Sequence, residues 1–456
     1  MVANVRNSRA EVAGVGQIRC FKELLTDYPQ FRWSWAGSTV SMLGSRTIGV
    51  TYPLLAYQLT HSAAWIGWVM FASTVPALLT HIPAGAVIDR FGPRRVMVIS
   101  EVVRGVLVTG LCGLLLLGRL EIWHLVAIAL VEGALSVNSS VAETALIPTT
   151  VKPGNVETAL AMHEGSVQSM VLAGRPLGGF LFGIGPIFSF AANAAMFFSA
   201  ALILRRLQPD ITARGSLRGK LLAEIKTGLT ELWNDAFLRS ATLVITFINL
   251  MVQGLIVVFL AKATDERLPS VLAGTILAMS GVGGIVGAFL SPRREDIRQR
   301  FGTWVSRWTW IAATARRLRA RRQGRSMMLV HLWSCVLALT LPLLLGTMPL
   351  AFALSLLAIG LTGGLSNVTM RTALSRVPTD RVARVVGVSR LATYSAVAIG
   401  PLLTSLVVQR VEPYVVLIVL CVPAILISGL MTTVPALRDT LTSVGKGTHS
   451  PAAASS

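Results

Sequence analysis

Charge is what this sequence has least of. Only 14% of its 456 residues are Asp, Glu, Lys or Arg, where a soluble domain carries about a quarter. Acids are scarcer still, 21 against 41 bases. An ordinary water-soluble globule is therefore excluded as the default class. Cysteine is sparse too: Cys20, Cys112, Cys335 and Cys421 are scattered, three of them inside apolar runs. They suggest neither a disulfide framework nor a metal site. Enzyme signatures are missing: no His-Glu-x-x-His, no Gly-x-Ser-x-Gly and no Walker loop. Gly281, Gly283, Gly284 and Gly287 mimic a nucleotide-binding glycine loop. They lie inside an apolar run with no strand before it, so helix packing explains them. No enzyme is expected.

What is present is apolar length. Hydrophobic residues make up 53% of the chain and mean hydropathy is +0.66. Runs long enough to cross a bilayer recur throughout. They fall near 33–57, 64–87, 96–117, 122–147, 157–183, 187–204, 237–261, 271–290, 326–346, 349–375, 385–408 and 413–435. The expectation is an all-α membrane protein with twelve transmembrane helices. The first thirty residues are polar and basic, and the first apolar run is too long for the core of a secretory leader.

The net charge of +20 is mostly topological. Of the 41 Lys and Arg, 32 lie in the N-terminal arm, the C-terminal tail and the connections after even-numbered spans, with Arg239 counted with the linker. Arg119, Lys262, Arg267 and Arg410 are those in the odd-numbered connections. This asymmetry follows the positive-inside rule, with both termini cytoplasmic and the chain multi-pass in the cell membrane. Basic charge so distributed gives no reason to expect a nucleic-acid partner.

The spans fall into two sixes. An N-terminal arm (1–32) precedes a first bundle (33–204), a linker (205–236) and a second bundle (237–436) with a basic insertion at 292–325. A tail (437–456) ending Ala-Ala-Ala-Ser-Ser reads as disordered. In the linker, Leu221, Leu222, Ile225, Leu229, Leu232 and Trp233 recur at helical spacing among Lys220, Glu224, Lys226 and Glu231. This fits an amphipathic helix on the membrane surface, and a solvated linker fits equally well. The insertion carries eleven arginines, with Trp304, Trp308, Ile311, Ala315 and Leu318 on one helical stripe. It reads either as a lipid-phosphate contact or as a tolerated loop.

The richest stretch is Gly85-Ala86-Val87-Ile88-Asp89-Arg90-Phe91-Gly92-Pro93-Arg94-Arg95, wedged between spans two and three. It resembles the loop signature G-x-x-x-D-R-x-G-R-R/K of the major facilitator superfamily of secondary transporters, with Pro93 where the pattern has Arg or Lys. That resemblance implies two pseudo-symmetric six-helix bundles rocking about a midplane substrate site. It also implies that Asp89 anchors the first bundle against the start of span eleven. Arg90 and Arg94 or Arg95 would pair with acids on adjacent helices, and Gly85 and Gly92 would permit close packing and the turn. The second half echoes the first at Gly287-Ala288-Phe289-Leu290-Ser291, where Ser291 replaces the aspartate. The loop is therefore expected to act as a one-sided conformational latch.

Gly174-Arg175-Pro176-Leu177-Gly178-Gly179 resembles the family's exporter-associated G-P-x-x-G-G pattern, with the proline one position late. Ser41–Arg46, Tyr57–Ser62 and Arg376–Arg384 resemble the branch that includes the enterobactin exporter and macrolide efflux proteins. What these resemblances imply is an exporter of a small organic compound, such as a drug or siderophore, acting as a monomer. The proton gradient would drive it, with no cofactor. An importer or facilitator of a metabolite is the alternative, and a non-transporting receptor or assembly factor a third reading.

Ionisable groups at membrane depth mark function. Arg46, Glu132 and Arg175 fall near the middle of their spans. Glu132 is a candidate proton carrier, with Arg46 or Arg175 as partner; a fixed structural ion pair is the competing reading. Glu101 and Arg104, one turn apart, are expected to pair with each other near the start of span three. Glu143 is placed within reach of Arg94 or Arg95, and His163 and Glu164 at the interface. Asn193, Asn249, Gln253 and Asn367 would bind substrate or bridge helices.

Overall fold

The computed structural model describes residues 23–208, 229–290, 327–374 and 379–434. Described residues are helical apart from short connections, with no strand among them. The helices are α1 (Pro29–Thr60), α2 (Ala63–Thr74), α3 (Pro76–Phe91), α4 (Pro93–Leu116), α5 (Ile122–Thr150), α6 (Val156–Ile184) and α7 (Pro186–Leu204). After the linker come α8 (Ala236–Asp265), α9 (Ser270–Leu290), α10 (Met327–Leu344), α11 (Pro349–Leu374), α12 (Thr379–Val408) and α13 (Pro413–Thr433).

The twelve expected spans are all present as helix. The second is split into α2 and α3 at Val75, because Pro76 has no N–H to continue the hydrogen-bond ladder. Among the described residues, ten helical spans are long and apolar enough to cross a membrane. Leu329–Leu344 is a shorter apolar helix, and α1 spans 32 residues with many hydroxyls and an arginine inside it. Large apolar side chains lie exposed on the helix surfaces, among them Leu79, Ile99, Leu116, Leu202, Leu337 and Leu426. Such faces suit lipid rather than water. The linker helix is described only from residue 229; its earlier turns, the basic insertion and the C-terminal tail lie outside the described residues.

Short turns join spans one to two, seven to eight and nine to ten. Each bends through a residue with positive φ: His61 at 50°, Arg267 at 53° and Thr347 at 57°.

The chain separates into two compact units. One comprises 1–221, 253–281 and 394–416; the other comprises 222–252, 282–393 and 417–456. The division runs through α8, α9, α12 and α13 rather than between two sets of six. Within the first unit, α1 packs on α2, α5, α6 and α7, while α4 lies against α5 and α7. The core between them contains Tyr52, Leu55, Val69, Val108, Leu111, Leu125, Phe190 and Phe197. Tyr52 stacks on Phe190 with centroids 5.8 Å apart.

Small residues bring the helices close. A β-carbon at Gly133 would lie 2.2 Å from the Ser73 carbonyl oxygen, and one at Gly67 only 2.7 Å from the Pro401 carbonyl oxygen. At Gly133 the obstacle is backbone, and at Gly67 the Ser405 hydroxyl, 1.8 Å away, stands nearer still than that carbonyl, so α5 on α2, and α2 on α12, require glycine. We expect Gly133→Ala to destabilise the protein by about 1–3 kcal/mol through overpacking. A thermal unfolding scan of the detergent-solubilised variant checks this.

Candidate functional site

Three helices of the first bundle converge on one guanidinium. Glu101 and Arg104 lie one turn apart on α4 and share its inward face. Glu132 and Ser139 lie on one face of α5, and Ser41 and Ser45, four residues apart, on one face of α1. Arg104 Nε and Nη2 donate to Glu132 Oε1 at 3.0 and 2.5 Å. Its Nη1 donates to Glu101 Oε1 at 3.0 Å and to Ser41 Oγ at 2.9 Å. Nη2 also donates to Ser45 Oγ at 2.5 Å. All five N–H donors of the arginine thus have partners. Ser139 Oγ donates to Glu101 Oε1 at 2.8 Å, and the guanidinium carbon sits 4.0 Å from the Phe197 ring centroid.

The cluster is dry. Relative exposure is 1% for Arg104, 0% for Glu101 and 5% for Glu132. Charge does not balance within it, because two carboxylates surround one cation. A buried ion pair needs good geometry and full hydrogen bonding to offset desolvation. Glu101 has that: Arg104 Nη1 is shared between its two oxygens and Ser139 Oγ donates to Oε1. Glu132 differs: both bonds from Arg104 fall on Oε1, and no hydrogen bond to its Oε2 is recorded among the described residues.

This geometry corrects the expected pairing. The partner of Glu132 is Arg104, not Arg46 or Arg175. Helix α4 begins at Pro93, so Glu101 and Arg104 lie about two and about three turns inside it rather than at its edge. Arg46 and Arg175 are instead neighbours of each other across the α1–α6 contact. Gly174 faces the Arg46 β-carbon, at 2.6 Å from where its own β-carbon would stand, and Gly178 faces the Thr47 carbonyl. Gly179 packs against Ser270 and Gly274 of α9. Arg175 Nη1 reaches α9, donating to the Leu277 carbonyl at 2.6 Å and to Ser280 Oγ at 2.7 Å. Pro176 is accommodated inside α6, which continues past it.

Glu143 is a second correction. It pairs with His163 Nδ1 at 2.9 Å, not with Arg94 or Arg95. Glu132, Ser139 and Glu143 follow i, i+7, i+11, so Glu143 faces into the bundle and away from the loop. His163 is accordingly a partner within the bundle and not merely interfacial. Glu164, the next residue, is partly exposed.

The loop itself is only partly as expected. Gly92 has φ of 83° and caps α3, its N–H bonding to the Ile88 carbonyl at 2.8 Å, a conformation suited to glycine. A β-carbon at Gly85 would meet nothing within 4 Å among the described residues. Arg94 Nη2 donates to the Arg205 carbonyl at 2.7 Å, at the C-terminus of α7 where a cation is favoured. Arg90 lies 5.5 Å from the Phe91 ring, and Asp89, Arg90 and Arg95 are exposed. At the start of span eleven, near 385, where Asp89 is expected to anchor, the side chains through 386 lie outside the described residues.

The polar candidates divide likewise. Asn193 donates to the Ser189 carbonyl and Asn249 to the Ile245 carbonyl of its own helix. Gln253 reaches the Val397 carbonyl at 3.4 Å. Ser41, Ser45, Ser139 and Phe197 escaped the sequence reading, although the four-residue spacing of the α1 serines was visible. Also unread was the hydrogen bond from the Tyr57 hydroxyl to the Asp265 carboxylate. It lines an open cleft with His61 and Arg267 at the end of α1. No group of three or more His, Cys, Asp or Glu that could hold a metal occurs among the described residues.

Membrane-length helices packed around a buried charge network describe a multi-pass membrane protein. The profile of the Major Facilitator Superfamily matches residues 34–315, and the chain belongs to that family. It is 24% identical over 404 residues to the multidrug efflux pump Tap of Mycolicibacterium fortuitum, covering 86% of this chain and 92% of that protein. The Tap pump of Mycobacterium bovis is 26% identical over 255 residues, covering 52% of this chain and 59% of that one. Among solved structures, a variant of the nucleoside transporter NupG superposes with a TM-score of 0.64 at 12% identity, over 88% of this chain and 99% of that one. A bacterial homologue of the human lysosomal transporter Spinster, inward-facing and occupied, also gives 0.64, at 15% identity over 90% and 97%. The structural likenesses show the fold, and the family match makes the chain a major facilitator transporter.

Proposed function

We propose that this transporter exports a small organic compound, in the class of drugs, siderophores or other natural products, in exchange for protons. The observation that carries the proposal is the buried cluster of two carboxylates and one guanidinium. A single proton balances its charge, and Glu132 Oε2 is the oxygen left to receive it. Protonating Glu132 would loosen its hold on Arg104 and so alter how α1, α4 and α5 grip one another, biasing one conformation over another. The name of the Tap relatives supports efflux, as does the exporter-like Gly174–Gly179 element at the contact of α6 with α1 and α9. The charge distribution supports residence in the cell membrane with both termini cytoplasmic. A monomer suffices, because the cluster draws every member from one bundle.

The test is a susceptibility panel in an efflux-deficient host, with and without a proton uncoupler. Protection abolished by the uncoupler supports proton-driven export. Accumulation in right-side-out vesicles, without protection, would favour the importer reading. Flux of no compound, together with a stable soluble partner, would favour a receptor.

The Asp89 loop enters as a conformational latch on the same cycle. A carboxylate facing the N-terminus of another helix, as expected for Asp89 against the start of span eleven, is held by that helix's dipole by roughly 0.3–1 kcal/mol, enough to bias cycling without building the substrate site. Asp89→Asn is therefore expected to lower turnover several-fold while substrate affinity stays within about twofold, as that range allows. Equilibrium binding beside initial-rate flux checks this, and lost affinity would count against the latch.

A further inference from the structure

Arg46 and Arg175 have no role in the cluster around Arg104, yet both are embedded at membrane depth. Arg46 sits midway along α1, where the bare Gly174 lets α6 close on it. Arg175, the residue after that glycine, spends its recorded hydrogen bonds on a carbonyl and a hydroxyl of α9, both neutral. The two guanidiniums are close enough to repel. No carboxylate among the described residues bonds to either. Glu101 and Glu132 are held by Arg104, Glu143 by His163, and Asp265 by Tyr57. Two like charges side by side, half-buried and each without a carboxylate partner among the described residues, are an incomplete arrangement.

We infer that Arg46 and Arg175 form an anion subsite and that the transported compound carries a carboxylate there. Planar guanidinium forks match a carboxylate's two oxygens. The subsite joins α1 and α6 to α9 through Gly174, Gly178, Gly179 and Gly274, so its occupant touches helices from both sixes of spans. Tyr394 of α12 lies within electrostatic reach of Arg46 and brings a hydroxyl from a fourth helix. The inference rests on the transporter reading, and it narrows the substrate from any amphiphile to an organic anion.

The test uses two dyes that share a xanthene ring and differ in charge, anionic carboxyfluorescein and cationic rhodamine 6G. Fluorescence anisotropy reads their binding to the purified full-length protein. Carboxyfluorescein should bind at least about tenfold tighter than rhodamine 6G, the scale of a hydrogen bond to a charged group. Arg46→Gln and Arg175→Gln should each lose about tenfold or more of that affinity without weakening rhodamine binding, and Arg46→Lys should lose less. Equal binding of the two dyes by the wild type overturns the subsite whether or not the variants fold. So does undetectable carboxyfluorescein binding, or unchanged affinity in a folded Arg46→Gln/Arg175→Gln double variant. Flux into everted vesicles separates the two levels. Anion binding without uncoupler-sensitive flux would sink the export reading and leave the subsite standing. Rhodamine export without anion binding would do the reverse.

Discussion

Arg104→Leu is expected to leave little folded protein. The substitution removes all five donors at once and strands Glu101 and Glu132 in a site with 5% exposure or less. Removing one partner of a buried ion pair costs about 3–5 kcal/mol, a large part of the 5–15 kcal/mol that holds a typical domain together. The Phe197 ring would also lose the cation 4.0 Å from its centroid, worth up to about 2 kcal/mol when desolvated. Size-exclusion elution of the solubilised protein should show aggregation or a steep loss of the monodisperse peak. Arg104→Lys restores a charge but offers three donors in place of five, and should fall between the two. The discriminating variant is triple: Arg104→Leu with Glu101→Gln and Glu132→Gln. Replacing a whole buried ionic group is often near neutral where breaking it is not. Recovery of the peak in the triple variant would assign the loss to stranded charge; no recovery would assign it to lost shape.

What the sequence disclosed and what it hid follow from the range of each signal. The spans were legible because apolar length is a local property, and each expected run is a helix. The depth of Glu132 was legible for the same reason. Its partner was not, because pairing depends on the rotation and offset of α4 and α5, which are set by packing against further helices, such as Gly133 of α5 on Ser73 of α2. Arg104 looked interfacial because the apolar run of span three begins at Val96, whereas the helix begins at Pro93. That offset of three residues moves a side chain almost one turn. Glu143 was misassigned by proximity along the chain to a basic loop, when its helical phase with Glu132 and Ser139 already pointed inward. The glycines of the Gly174–Gly179 element were recognisable as a packing device. Which helix each one admits, α1 at Gly174 and Gly178 and α9 at Gly179, required coordinates.

Glu132→Gln should separate binding from coupling. The amide keeps an oxygen where Glu132 Oε1 accepts two bonds from Arg104, so the helices α4 and α5 stay joined. It removes the negative charge and places an NH2 at the position of Oε2, fixing the neutral form that protonation would produce. A transporter held in one protonation state can still exchange substrate across the membrane but has nothing through which the gradient can act. One elementary charge crossing 100 mV is worth about 2.3 kcal/mol, which supports a concentration ratio of roughly fifty at 1.4 kcal/mol per decade. In proteoliposomes with an imposed gradient, wild-type accumulation should approach that ratio and collapse on adding an uncoupler. Glu132→Gln should settle near equal concentrations with or without the uncoupler, while counterflow of labelled substrate persists. Glu101→Gln supplies the contrast. Glu101 is held on both oxygens by Arg104 and by Ser139 as well, a bonded state with no oxygen spare for a travelling proton, so this variant should remain coupled. If Glu101→Gln uncouples and Glu132→Gln does not, the carrier is Glu101. If both keep uncoupler-sensitive accumulation, the cluster is a fixed structural joint and the coupling lies elsewhere in the chain.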